Sequence, residues 1–148
     1  VELGVYKIVP MAAKRCIVKL DNRKAVSKIQ RWQAIAESAA KQSKRAVIPE
    51  VAQVSEFSEA VRTASAMDVR LIPYELAEDM SKTKERMGAL QPGQEIAVFI
   101  GPEGGFEEAE IALALSNGVE PITLGKRILR TETAGMTVLS WIMYMLEN

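Results

Sequence analysis

Apolar positions along the 148-residue chain fall into alternating short runs and helical stripes. Five runs predict strands: VYKIVP (5–10), read as buried, AVIPEV (46–51), interrupted by Pro49, VRLIPYE (69–75), EIAVFIG (95–101) and EPITLG (120–125). The fourth, entered through the Pro92-Gly93 turn, promises the clearest buried strand. Between them, Ala25, Ile29, Trp32, Ala36 and Ala39 recur at the spacing of one helical face, predicting a helix over 24–42 that Asp21 or Asn22 can cap. Ser55 is placed to cap a second helix, with Glu56 and Glu59 near its positive end and Phe57, Val61 and Ala64 turned inward. Residues 80–90 suggest a short surface helix. Glu107, Glu108 and Glu110 open another that stops at Asn117-Gly118, and residues 131–147 form a closing helix apolar almost all round. MAAKRCIVKL (11–20) reads as a basic loop or irregular extended piece. VELG, at the start, reads as the last turn of a helix with Gly4 past its end, so a preceding segment is expected.

Strands alternating with helices predict an α/β fold with a mostly parallel sheet flanked by helices. Ligands of such sheets sit beyond the carboxyl ends of the strands. Two loops occupy that position: GPEGGF (101–106) and GKRILRTET (125–133).

Composition narrows the chemistry. With 48% apolar residues, one well-filled core is feasible at this length. A single cysteine, Cys16, excludes an internal disulfide and fits a reducing, cytoplasmic setting. Its basic neighbours would lower its thiol pKa if exposed, although a small packed residue is the simpler reading. The longest apolar run, residues 136–146, is broken by Thr137 and Ser140 and falls short of the ~20 residues a membrane span needs. Histidine is absent, which removes Ser-His and Cys-His nucleophile pairs and most zinc sites, so no metal is expected.

Net charge is zero but unevenly spread. Residues 1–45 carry eleven Lys/Arg against Glu2, Asp21 and Glu37, a balance of +8, and the remainder carries −8. Such a basic lobe is a candidate polyanion footprint, with an ordinary solvated face as the alternative. Lys24, Lys28 and Arg31 form a basic stripe on the helix that also carries Trp32, which itself suits core packing.

GPEGGF lacks the Gly-Lys-Ser/Thr of a P-loop and does not fit G-x-G-x-x-G, so a nucleotide-dependent dehydrogenase is a poor fit. Its glycines let backbone approach a ligand, and the acidic start of the following helix disfavours phosphate. LGKRILRTETAG (124–135) crowds charge and hydroxyls into a junction between two apolar elements.

Together the two loops resemble the signature of the RsmE-like branch of the SPOUT methyltransferases, which methylate N3 of a uridine in 16S ribosomal RNA. ELGV near the start, RCIVKLD (15–21) and QSKR with its following proline (42–49) resemble that family in the same order, so the likeness covers nearly the whole chain. Lys126 stands where the family often has proline, and Lys41 where an acidic residue is more usual.

The resemblance implies a SPOUT catalytic domain over residues 1–148, its C-terminal part threaded into a deep trefoil knot. It implies S-adenosylmethionine as cofactor and a homodimer around the cofactor sites. A barrel-like RNA-binding domain precedes this part in the family and is expected to be absent from this chain. Backbone groups around Leu124, Gly125, Ile128, Leu129 and Thr131 would cradle adenosine. Ile100, Gly101, Pro102, Glu103 and Gly104 would form the facing wall, and Tyr74 and Glu75 a third edge. Arg130 is then the implied catalytic residue, able to stabilise negative charge on the uracil oxygens. Glu103, Glu132 or water would accept the proton. A pairing of Arg130 with Glu103, or Glu132 as a mere helix cap, would be the structural alternatives. Arg15, Lys19, Lys24, Lys28, Arg31, Lys44 and Arg45 would contact phosphates of 16S ribosomal RNA. Trp141 suits a dimer seam or the knot core. A related SPOUT enzyme acting at another RNA position or on a ribose hydroxyl, and a non-catalytic RNA-binding or ribosome-assembly module, remain as competing readings.

Overall fold

A computed structural model describes residues 1–16, 22–77 and 79–147. Every strand pairing in it is parallel. Among the described residues five helices accompany seven strands: β1 (Lys7–Ile8), β2 (Met11–Ala12), α1 (Asn22–Gln42), β3 (Glu50–Val51), β4 (Ser55–Glu56), α2 (Phe57–Ala64), β5 (Val69–Pro73), α3 (Met80–Gly88), β6 (Ile96–Val98), α4 (Glu108–Ser116), β7 (Glu120–Ile122) and α5 (Thr131–Leu146). The main sheet has the order β6-β5-β7, while β1 pairs with β3 and β2 with β4 in two small ribbons.

β5 lies in the middle, and its sequence VRLIP shows why. Period-two alternation sends Val69 and Leu71 to one face and Ile72 to the other, so both faces are covered. On one side Ile72 and Phe99 meet Phe57 and Val61 of α2 and Ile111 and Ala114 of α4. On the other, Leu71 and Ile122 meet Met87 of α3 and Val138 of α5, with Trp141 packed against that cluster. Leu71 and Ile72 are both 0% exposed, each contributing about 1.5–3 kcal/mol of burial. A third cluster places Ile29 and Ala36 of α1 against Val51, with Trp32 partly buried beside them.

Several expectations require correction. Residues 5–10 do not form one buried strand. Pro10, with no N–H to donate, separates β1 from β2, and Lys7 and Ile8 are exposed. The strand expected over 95–101 is shorter, half-buried and at the edge of its sheet among the described residues. Ser55 is not the cap of α2; Glu56 occupies that position without a side-chain bond, and the Ser55 hydroxyl donates to the Glu56 carbonyl instead. Of the two caps offered for α1, Asn22 is its first residue and Asp21 lies outside the described residues. No helix of the described residues is long and apolar enough to cross a membrane.

Candidate functional site

The carboxyl ends of β5, β6 and β7 leave the main sheet at one edge. Leu71 is in register with Val98 and Pro73 with Ile122, so Tyr74, Gly101 and Leu124 emerge as neighbours. The Tyr74 N–H still donates to the Ile122 carbonyl at 3.0 Å, after which the chain turns at Glu75. The two glycine-containing loops are tied directly: the Thr131 hydroxyl donates to the Gly101 carbonyl at 3.0 Å. Within GPEGGF, the Gly105 N–H donates to the Pro102 carbonyl at 2.8 Å, closing the turn.

Two glycines here have geometric reasons. A Cβ on Gly101 would stand 3.1 Å from the ring of buried Phe106, so the turn is seated on the apolar core with no space for a side chain. Gly125 has φ +103, a conformation open to glycine and strained for other residues. It is held by its N–H donating to the Thr123 hydroxyl, and the Thr123 N–H in turn donates to the Thr83 hydroxyl at 3.0 Å. Among the described residues, the backbone groups of residues 126–129 make no hydrogen bond, so this stretch presents open donors and acceptors. Ile128 projects outward, 82% exposed.

Arg130 precedes α5 in an extended conformation and is exposed. Its carbonyl accepts from the Ala134 N–H. Among the described residues no ion pair joins it to Glu103, and Glu132 makes no capping bond. All three side chains are therefore presented to solvent around the Thr131–Gly101 link. Among the described residues no three His, Cys, Asp or Glu gather as a metal ion would require.

The basic lobe divides. Lys24 and Arg31 lie exposed on α1, and Lys28 lines a cleft of about 1040 Å³ together with Lys14, Cys16, Trp32, Glu107 and Glu110. Lys44 is exposed, with φ 56 at the turn after α1. Lys19 lies outside the described residues. Arg45 is engaged differently from the phosphate contact expected of it. Its guanidinium donates to the carbonyls of Val1 and Val5, both at 2.8 Å, and of Gly4 at 3.2 Å. Arg15 reaches the glycine turn itself, donating to the Gly104 carbonyl at 2.9 Å.

Sequence reasoning missed Thr83 altogether, and placed Glu110 at a helix start without its burial. Thr83, only 3% exposed, sits in a weakly patterned helix where a buried hydroxyl has no periodic signal. Glu110 is 7% exposed, and its carboxylate accepts from the Lys14 N–H and the Glu107 N–H, both at 2.9 Å. Its spacing from Glu107 forms a capping box, a signal that was present in the chain.

With this geometry in place, residues 1–143 match the model of the RNA methyltransferase domain family. The chain belongs to that family, in its RsmE-like branch. It is 37% identical over 149 residues to the ribosomal RNA small subunit methyltransferase E of Bacillus subtilis (strain 168), covering 99% of this chain and 58% of that protein. The Synechocystis protein of the same name is 35% identical, with 99% of this chain and 47% of that protein covered. Among solved structures, a Legionella pneumophila methyltransferase in complex with bound S-adenosylmethionine superposes with a TM-score of 0.89 at 37% identity, covering 98% of this chain and 57% of that one. The Neisseria gonorrhoeae ribosomal RNA small subunit methyltransferase E, bound to S-adenosylmethionine, gives 0.84 at 34% identity, with 98% and 57% covered. This family member thus spans 58% or less of the length of these relatives.

Proposed function

We propose that this chain is the catalytic domain of an S-adenosylmethionine-dependent methyltransferase that modifies N3 of a specific uridine in 16S ribosomal RNA. The observation that carries this reading is the Thr131–Gly101 bond, which fastens the two glycine-containing loops together at the sheet edge beside exposed Arg130. The residues present suit the cofactor. Gly101 and Gly104 leave no side chain on the wall, Gly125 turns the loop, and the unengaged backbone of residues 126–129 can pair with the polar edge of an adenine. Leu124 and Leu129, both half-buried, supply apolar contact, and Tyr74 with Glu75 closes the remaining edge.

Bound there, S-adenosylmethionine supplies a methyl group already activated by its sulfonium. The chain's own residues then position the base, exclude water and manage charge. As uracil N3 loses its proton to Glu103, Glu132 or water, negative charge spreads over O2 and O4, and the Arg130 guanidinium stabilises it.

The same reading includes a trefoil-knotted SPOUT arrangement of the C-terminal loops, a cytoplasmic location, and an RNA-binding domain preceding these 148 residues in the whole protein. It also includes a homodimer. Met136 and Tyr144 on α5 are 54% and 70% exposed, an apolar surface suited to a partner copy.

Arg130→Ala tests the assignment. It should leave RNA affinity nearly unchanged and slow single-turnover methylation of 16S ribosomal RNA on the order of 10²–10³-fold, followed by mass spectrometry of N3-methyluridine. Equal losses in RNA affinity and rate would make Arg130 a substrate clamp and refute the catalytic role.

A further inference from the structure

The segment from Met11 to Cys16 belongs to the basic lobe, yet it is stitched to the glycine turn from two sides. Buried Glu110 grips the Lys14 N–H at 2.9 Å and, through its other oxygen, the Glu107 N–H at the start of α4. One residue on, Nη1 of Arg15 donates to the Gly104 carbonyl at 2.9 Å. The contact is also steric: a Cβ on Gly104 would stand 3.2 Å from the Arg15 Cβ and 3.5 Å from its Cδ, so the turn packs against the arginine stem. Arg15 is nonetheless exposed, and among the described residues Nη2 and Nε meet no acceptor. One planar group therefore holds the turn by one edge and offers the other to solvent. Its neighbour Lys14 shares with Lys28 the cleft beside α4.

We infer that Arg15 is a positioning residue that couples RNA binding to cofactor binding, holding the Gly104 carbonyl while its free guanidinium edge takes an RNA phosphate. The inference rests on the S-adenosylmethionine and RNA reading given above. A phosphate on Nη2 and Nε fixes the plane of the guanidinium, and with it the direction of the Nη1 bond to Gly104. The turn that would face the cofactor then loses a source of looseness. Any such linkage is reciprocal: RNA tightens the cofactor by the factor with which the cofactor tightens RNA. Lysine cannot substitute in full, because a single ammonium lacks two opposed donor edges in one rigid plane.

The experiment is calorimetric titration of the protein with S-adenosylmethionine, alone and with a saturating oligouridylate 12-mer. For the wild type, RNA should tighten the cofactor by at least about fivefold, the lower end of ordinary coupling. Arg15→Lys, whose ammonium can still reach the Gly104 carbonyl, should bind S-adenosylmethionine more tightly than Arg15→Ala without RNA, yet show no RNA-linked tightening. Arg15→Ala should lose both the tightening and part of the basal affinity. Lys28→Gln, a control outside the Gly104 contact, should need more RNA to saturate but keep the full tightening. A wild type that binds no S-adenosylmethionine refutes the cofactor reading and this inference with it. A wild type that binds it without response to RNA, or an Arg15→Lys variant that keeps the response, overturns the coupling alone and leaves the cofactor reading standing.

Discussion

Replacing Gly101 with alanine tests whether the glycine turn is set by the core beneath it. The new Cβ would lie 3.1 Å from Cε2 and 3.2 Å from Cδ2 of Phe106, closer than carbon atoms ordinarily approach. The ring cannot retreat freely, because Phe106 is 7% exposed and packs against Phe57 with ring centroids 5.0 Å apart. Either the ring compresses the cluster or the turn lifts from it. Overpacking of this kind costs about 1–3 kcal/mol. Lifting the turn also stretches the bond from the Thr131 hydroxyl to the Gly101 carbonyl, worth about 1 kcal/mol. For a chain of this size Tm should therefore fall by roughly 3–10 °C. S-adenosylmethionine affinity should fall at least about tenfold, equivalent to 1.4 kcal/mol. Gly88→Ala is the matched control: nothing lies within 4 Å of its added Cβ, and it ends α3, so it should leave affinity intact and stabilise by about 0.4–1 kcal/mol. Calorimetry gives both readouts. If Gly101→Ala melts and binds like the wild type, Phe106 does not set the turn and the reasoning fails.

Thr83→Val keeps shape but leaves the buried Thr123 N–H without an acceptor, so urea denaturation should show a loss of about 1–3 kcal/mol at unchanged m-value; an unaltered midpoint would contradict this. Arg45→Gln should lower stability by about 1–3 kcal/mol through loss of its three carbonyl bonds, whereas exposed-stripe changes such as Arg31→Gln should stay within about 0.5 kcal/mol. In titrations with single-stranded RNA the order reverses, with Arg31→Gln reducing the slope of log affinity against log salt by about 0.7 and Arg45→Gln leaving it alone; equal slopes would erase the division of the basic lobe. Light scattering at micromolar concentration should report twice the monomer mass, and a monomer would refute the apolar α5 surface as a dimer seam.

What the chain disclosed in advance was whatever repeats with a short period. The inward set Phe57, Val61 and Ala64 and the start and stop of α4 follow from local pattern, and the structure places them as expected. Strand extent was harder to read. Residues 5–10 and 95–101 are apolar enough for long buried strands, but Pro10 and the edge position of β6 cut them short, and sheet order is a property of distant partners. At the candidate site, glycines and charge marked both loops. The link from Thr131 to Gly101 and the reach of Arg15 to Gly104 join residues far apart in sequence, and no spacing rule announces them. Arg45 shows the converse: composition counted it as surface charge, while its geometry spends it on three carbonyls.

The exclusively parallel pairing has a kinetic consequence. Among the described residues no strand pairs through a hairpin. The nearest partners, Val69 and Ile96, already enclose all of α3, and Leu71 with Glu120 encloses α3 and α4. Lys7 meets Glu50 only by closing a loop that contains the whole of α1. Chain entropy must be surrendered before each of these contacts returns anything, which places refolding on the slow side for a domain of this length. The helices can form early, but β5 must then wait for both neighbours with its apolar faces open. That interval, rather than the finished fold, is when the protein is most exposed to aggregation.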